Sequence, residues 1–332
     1  MIISRTPFRI SFVGGGTDLK SFYNQEDGQV LNTSINKYLY VAVKRQLDIV
    51  EHKYRICYSK IECTNDVEEI QHPIVREALK LLDIDFAVEI TTFADIPAQT
   101  GLGSSSSFAV GLLHALFALK GQMVTKATLA NLAAEIEINI LGRNIGKQDH
   151  YAAAYGDLNV LTLQKDGIVV AEPVFYDVKV RKKIENSLLL FYTSIKRDAN
   201  EILTIQNKRT IEKFPILKEM KDQVPDLRDV ISSGKDIDRF GAILNKGWEL
   251  KRSITEEISS TTIDGYYQRA MEAGALGGKL LGAGGGGFLL FYAHQEHHHK
   301  VKEALSDLFH LNFSFDQAGT RITYYDQNIV FD

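Results

Sequence analysis

Glycine is the residue whose placement most constrains this chain. Twelve of its 25 glycines fall in three short turns, at 14–16, 101–103 and 277–287. Each turn abuts apolar sequence. Phe8, Ile10 and Phe12 alternate with polar or small residues ahead of the first, the almost wholly apolar run Phe108 to Leu119 follows the second, and Phe288–Tyr292 follows the third. A glycine loses more backbone entropy on folding than any other residue. Four in succession at 284–287, against a strand, therefore point to backbone that must approach something closely, although a flexible linker is the alternative.

The remaining pattern supplies strands and helices without strict alternation. Residues 38–44, 54–58 and 86–92 are β-rich, 73–82 and 104–119 read as helices, and Thr125 caps a helix carrying Leu129, Leu132, Ile136 and Ile140 on one face. A strand pair at 158–163 and 168–174 turns at Asp166-Gly167. From 187 the pattern restarts, with a strand at 188–193, helices near 198–210, 236–251 and 264–274, a strand at 288–292, a helix near 296–309 and a last strand at 320–324. This predicts an α+β protein of two domains, 1–183 and 184–332, divided after Lys182-Lys183.

Composition removes several classes. A formal net charge of -4 argues against a broad nucleic-acid face, while leaving room for a local anion site. Cys57 and Cys63 are the only thiols, too few for a disulfide framework and without zinc-ligand spacing. Arg5 and Arg9 interrupt any signal-peptide core, and the longest apolar stretch is about half a membrane span. The expectation is a soluble cytoplasmic protein with no membrane partner; its oligomeric state is not legible.

Four segments carry candidate chemistry. Pro97-Ala-Gln-Thr-Gly101-Leu102-Gly103-Ser104-Ser105-Ser106-Ser107 follows a strand and opens the apolar helix, so its N–H groups and the helix end could cradle phosphate, with a serine oxygen on Mg²⁺. It is neither of the familiar phosphate loops, having no Lys after Gly103 and Ser106 where a dinucleotide fingerprint needs its third glycine. A plain serine helix cap is the alternative. Gly14-Gly15-Gly16-Thr17-Asp18 sets a carboxylate after a close-approach turn; Asp18 either accepts sugar hydroxyls or caps a helix. Glu135, Glu137, Arg143, Lys147, Asp149 and His150 cluster between 135 and 150. There Glu137 and Asp149 could meet across a cleft, one on Mg²⁺ and one on a hydroxyl, or be a solvated charge and an N-cap. The turn at 277–287 is the fourth. His294 and His297–His299 read as a solvated helix start rather than a metal site, and Arg197, between a strand and a helix, reaches either an anion or solvent.

Taken in order, three of these segments resemble the GHMP kinase superfamily (galactokinase, homoserine kinase, mevalonate kinase, phosphomevalonate kinase). Pro7-Phe-Arg9 through Gly14 and Thr17-Asp18 matches its first motif, Pro97 to Ser105 matches P-x-x-x-G-L-G-S-S, and Gly282-Ala-Gly284-Gly285-Gly286-Gly287 matches its third. The resemblance implies a fold with an N-terminal domain like ribosomal protein S5 domain 2 and a ferredoxin-like C-terminal domain. It implies ATP phosphates on Pro97, Gly101, Leu102, Gly103, Ser104, Ser105 and Ser106, and Mg²⁺ on Ser105 and Glu137. Asp149 takes the role of catalytic aspartate, with Arg9 beside it. The acceptor would lie on Arg9, Gly15, Gly16, Thr17, Asp18, Asp149, Gly284 and Gly285. Galactokinases carry G-E-H-T-D where this chain has Gly14-Gly15-Gly16-Thr17-Asp18, so Gly15 removes charge and bulk and admits a larger, anionic arm. The opening SRTPFRISFVGGGTD and the segment GKQDHYAA look like bacterial D-glycero-D-manno-heptose 7-phosphate kinases and the kinase part of fucokinases. The first would make a 1,7-bisphosphate on the way to nucleotide-activated heptose for surface polysaccharide, from a sugar phosphate and ATP. Lys147 and Arg197 are the basic residues left for the 7-phosphate. L-fucose or another sugar 1-kinase, and a non-catalytic sugar and ATP sensor on the same fold, are the other readings.

Overall fold

A computed structural model describes residues 1–196 and 199–326. The first part of the chain runs β1 (Ile2–Val13), α1 (Lys20–Tyr23), β2 (Gly28–Arg45), β3 (Tyr54–Cys57), β4 (Ile61–Thr64), α2 (Pro73–Leu81) and β5 (Val88–Ala94). Then come α3 (Ser104–Leu119), α4 (Lys126–Ala134), α5 (Gln148–Tyr155), β6 (Leu158–Leu163) and β7 (Val169–Pro173). The second part runs α6 (Val178–Ser187), β8 (Leu188–Tyr192), α7 (Ala199–Arg209), α8 (Phe214–Ser233), α9 (Arg239–Arg252) and α10 (Thr261–Glu272). It ends with β9 (Ala275–Leu280), β10 (Phe288–Ala293), α11 (His298–Ala304), β11 (Phe309–Leu311) and β12 (Arg321–Tyr325).

Two sheets organise these elements. The first has eight strands, ordered β12-β1-β2-β5-β3-β4, with β6 on β2 and β7 on β6. The 18-residue β2 pairs with β1 and, on its other edge, with two strands in turn: Gly28–Thr33 pairs β6, and Leu39–Arg45 pairs β5. The second sheet is antiparallel, ordered β11-β8-β10-β9. Strand β12 leaves the second part of the chain and pairs with β1, so the last strand completes the first sheet. Its residues fall on the far side of the expected 183/184 division, which itself lies within α6.

The apolar run behind the second glycine turn explains α3. Residues 106–113 are buried without interruption, as befits a helix that is hydrophobic all round. It packs beneath β1 and β2, so the turn at its N-terminus rests on a rigid base. Helices α8 and α9 join the same core, with Phe12 of β1 edge-on to Phe240 of α9 at 5.2 Å between centroids.

Four elements differ from the sequence expectations. The helix from Thr125 does not continue to Ile140; α4 ends at Ala134, and Glu135–Ile140 forms a π-helical turn. A π turn carries an extra residue, which rotates the face that follows. Glu137 thereby comes inside at 0% exposure, while Ile140, expected on the apolar face, is 45% exposed. Helix α8 lies where the sequence reading places no element, and it holds Pro225, an unfavourable residue for a helix interior. Gly277 and Gly278 belong to strand β9 rather than to a turn: a Cβ at 277 would strike Gly241 O of α9 at 1.9 Å. The helix near 296–309 is shorter, because Phe309–Leu311 pairs with β8. Cys57 and Cys63 are free thiols. Among the described residues no helix is long and apolar enough to cross a membrane, and no cluster of three His, Cys, Asp or Glu side chains could hold a metal.

Candidate active site

The glycine turns converge on one cleft of about 1120 Å³, lined from both parts of the chain. Two of them touch backbone to backbone. A Cβ on Gly101 (φ +83°) would lie 2.6 Å from Leu281 O, and one on Gly282 (φ +76°) 2.6 Å from Gly101 Cα. Gly103 then starts α3 in the left-handed region at φ +79°, with no side chain capping the helix. The first-turn N–H groups at 104–106 have no acceptor within the helix, and the helix end adds partial positive charge. Ser104, Ser105 and Ser106 line the cleft there, with Pro97, Gly101 and Gly103 beside them. Leu102 does not: its side chain is buried and its carbonyl accepts the Arg9 N–H at 3.1 Å, anchoring the loop to β1.

Arg9, from β1, and Asp149, from the first turn of α5, form a two-point ion pair. Nε donates to Oδ1 at 2.6 Å and Nη2 to Oδ2 at 2.7 Å, while Nη1 donates to Gly101 O at 2.7 Å. Such a fork fixes the carboxylate in angle as well as position. A Cβ at Gly103 would lie 3.3 Å from Asp149 Oδ2, so the pair stands directly at the amide-rich helix end.

Glu137 sits in a second polar cluster. Its Oε1 accepts from Ser105 Oγ and from Arg143 Nη1, and its Oε2 lies 2.9 Å from His150 Nε2. Arg143 Nη1 also donates to Ser105 Oγ at 2.6 Å. Burial opposes the charge of Glu137, but hydrogen bonds and charge from His150, then Ser105 and Arg143, outweigh it and hold the carboxyl well below the usual carboxylate range. An ionised carboxylate beside a hydroxyl oxygen is the hard-oxygen chemistry that Mg²⁺ takes when phosphates complete its shell. Ser105 and Glu137 fit that ion.

Asp18 is 3% exposed and does not cap α1, whose N-cap is Leu19. Its Oδ1 accepts Gly16 N–H at 2.9 Å and its Oδ2 the Gln148 N–H at 3.4 Å. Burial, then the charge of Asp149, pushes its carboxyl up. Gly15 and Gly16 line the cleft with it. Thr17 is buried and holds the turn instead, with Oγ1 2.8 Å from Gly14 O and accepting Gln29 N–H at 3.1 Å. A Cβ at Gly146 would fall 1.8 Å from Asp18 Oδ2. Gly146→Ala is therefore expected to displace Asp18 and cost on the order of 1–3 kcal/mol, read as a lower denaturation midpoint.

The other expected residues lie elsewhere. Lys147 donates to Gly167 O at 2.6 Å and lines a separate cavity of about 410 Å³, because the turn after β6 offers its ammonium a carbonyl away from the cleft. Gly284 and Gly285 pack on Ile258, with the Gly285 N–H on Ile258 O at 2.9 Å; Gly282 and Ala283 face the cleft in their place. Arg197 lies outside the described residues. Arg143 and His150 belong to the 135–150 cluster, yet nothing in their spacing announces their bonds to Ser105 and Glu137. Ser11, Gln148, Lys251 and Lys279 also line the cleft. The available signal was a charge at a core position, for Lys279 between Gly278 and Leu280 of an otherwise apolar strand.

Comparison with known proteins finds one family in both parts of the chain. The family description "GHMP kinases N terminal domain" matches residues 73–157, and "GHMP kinases C terminal" matches 223–311. The D-glycero-alpha-D-manno-heptose 7-phosphate kinase of Campylobacter jejuni subsp. jejuni serotype O:2 is 27% identical over 300 residues, covering 85% of this chain and 86% of that protein. The galactokinase of Thermotoga maritima is 23% identical, over 94% of this chain and 95% of its own. In structure, a D-glycero-D-manno-heptose 1-phosphate kinase from Bacteroides thetaiotaomicron superposes with a TM-score of 0.81 at 24% identity, covering 98% and 99% of the two chains.

Proposed function

The chain belongs to the GHMP kinase family, phosphotransferases that take their phosphoryl group from ATP, and we propose that its acceptor is the anomeric hydroxyl of D-glycero-D-manno-heptose 7-phosphate. The product is the 1,7-bisphosphate. The observation that carries this reading is the Arg9–Asp149 fork at the bare N-terminus of α3, with Asp18 and the glycine turn at 14–16 in the same cleft. The heptose assignment draws on the 27% identical relative and on Gly15, where galactokinases carry a glutamate.

The geometry supports the following roles. The Ser104–Ser106 amides and the helix end hold phosphate oxygens of the donor. Ser105 and Glu137 would hold Mg²⁺, and that ion would supply neutralisation of the donor's phosphate charge. Arg9 keeps Asp149 in one orientation and offers positive charge at the transfer point. Asp149 orients the acceptor hydroxyl and takes its proton as that oxygen bonds to the γ-phosphorus and the bond to ADP breaks. Asp18 accepts hydrogen bonds from ring hydroxyls. Phosphoryl transfer rests chiefly on positioning and electrostatics, and these residues supply both.

An ADP-release assay across heptose 7-phosphate, L-fucose, galactose and mannose tests the proposal. Heptose 7-phosphate is expected to give a kcat/KM at least about tenfold above any other sugar. Preference for an unphosphorylated sugar would overturn the heptose assignment, and ATP binding without ADP release from any sugar would favour a sensor.

A further inference from the structure

Two lysines in the cleft have no role in the mechanism above. Lys251 comes from α9 and Lys279 from β9, and they are 8% and 6% exposed. Lys251 Nζ donates to Gly282 O, and Lys279 Nζ to Phe12 O at 2.7 Å. Neither ammonium has a carboxylate within ion-pair distance among the described residues, and the charge of Asp18 offsets only part of the burial of Lys251. A buried, unpaired ammonium is costly, and two near one another are more so. Burial pushes Lys251 down to about 8, and burial, then Lys251 and Arg9, push Lys279 well below its ordinary value.

The carboxylates nearest the reacting end of the cleft are taken up: Asp149 is engaged by Arg9, Glu137 by Arg143, and burial opposes the ionisation of Asp18. Lys251 and Lys279 are held by backbone carbonyls and are open to an anionic ligand. Lys279 is tethered at the end of β1 that carries Ser11 and leads into the turn at 14–16. Among the described residues Ser11 Oγ is buried without a hydrogen-bond partner, and it lies 3.6 Å from where a Cβ on Gly15 would stand; Gln148 Nε2 lies 3.8 Å from the same point. The space left open by Gly15 is thus bordered by two neutral polar groups, next to the strand end that holds a cation.

We propose that Lys251 and Lys279, with Ser11 and Gln148, form the subsite for the phosphate already present on the sugar. This rests on the reading that the acceptor is a sugar phosphate. A phosphate monoester dianion would give both ammoniums an anionic partner in place of carbonyls alone, and offers enough oxygens to engage both neutral donors as well. It also gives Gly15 a physical purpose, since a carboxylate there would repel the substrate.

Steady-state kinetics on the full chain test it. Lys279→Met and Lys251→Met keep an apolar stem of similar length and remove the ammonium, with its charge and its bond to a backbone carbonyl. Each is expected to raise KM for heptose 7-phosphate about 10- to 100-fold and to leave KM for ATP within about threefold. A Cβ at Gly15 meets its neighbours only at ordinary contact distance, so Gly15→Glu remains informative should a lysine variant fail to fold; it is expected to raise the same KM by more than about tenfold. Inorganic phosphate, titrated by calorimetry with a non-hydrolysable ATP analogue present, should bind the native chain and lose at least about tenfold in affinity in the lysine variants. Unchanged KM for the sugar phosphate, or a rise confined to KM for ATP, would overturn the subsite. The phosphate titration needs no turnover, so it fails only if the subsite is wrong, whereas the sugar panel on the native chain fails only if the heptose assignment is wrong.

Discussion

Asp149→Asn is expected to lower kcat by about 10²–10⁴-fold while KM for either substrate changes by only a few-fold. The amide keeps the shape of the carboxylate but cannot take a proton, and it loses the charge that holds both Arg9 nitrogens at 2.6 and 2.7 Å. The Gly101 carbonyl still anchors Arg9 Nη1, and the first-turn amides of α3 are untouched, so binding of the donor persists. Stopped-flow or steady-state ADP release, with ATP affinity measured separately by calorimetry, resolves the two effects. A variant with near-native kcat would remove Asp149 from the chemistry.

Glu137→Gln is expected to cost about 10²–10³-fold in kcat/KM, and to raise the Mg²⁺ concentration needed for half-maximal rate. The glutamine keeps an oxygen for His150, so the fold survives, but the charge that Ser105 and Arg143 surround is gone. The same change has a pH signature. Because its charge is favoured in the folded protein, Glu137 stabilises the native chain fully above the ordinary value of 4.5 and loses that contribution as pH falls below it. The stability difference between native chain and variant should therefore shrink on acidification from about pH 5 to about pH 3, as urea midpoints at each pH would record. A difference that grows toward acid would contradict the buried ionised state.

Much of the site was legible in the sequence because its parts are local. A glycine turn leading from a strand or into an apolar helix is written in adjacent residues, and Arg9, Gly101, Ser105 and Asp18 stand in the cleft where those turns meet. What was not legible depends on distance in the chain or on a rotation. The π turn that brings Glu137 inside is a one-residue change of helical phase, invisible to a 3.6-residue pattern. Helix α8 keeps Leu217, Val224, Leu227 and Ile231 buried despite Pro225, so tertiary packing outweighs a local breaker. Lys251 looks like a surface charge until α9 is folded against the turn that offers Gly282 O, and Lys279, although it interrupts an apolar strand, finds its acceptor Phe12 O only once β9 lies against β1. Lys147 went the other way. Its neighbourhood suggested the cleft, and a carbonyl 20 residues further along the chain draws it elsewhere.

The central claim is the site of phosphoryl transfer on a sugar that already carries a phosphate. Phosphorus-31 NMR of the product made from ATP and heptose 7-phosphate tests it most directly. The account predicts two sugar phosphorus signals, one coupled to the anomeric proton and one retained from the 7-phosphate. A new phosphate on any other hydroxyl, or no product from the phosphorylated heptose while an unphosphorylated sugar reacts, would contradict it.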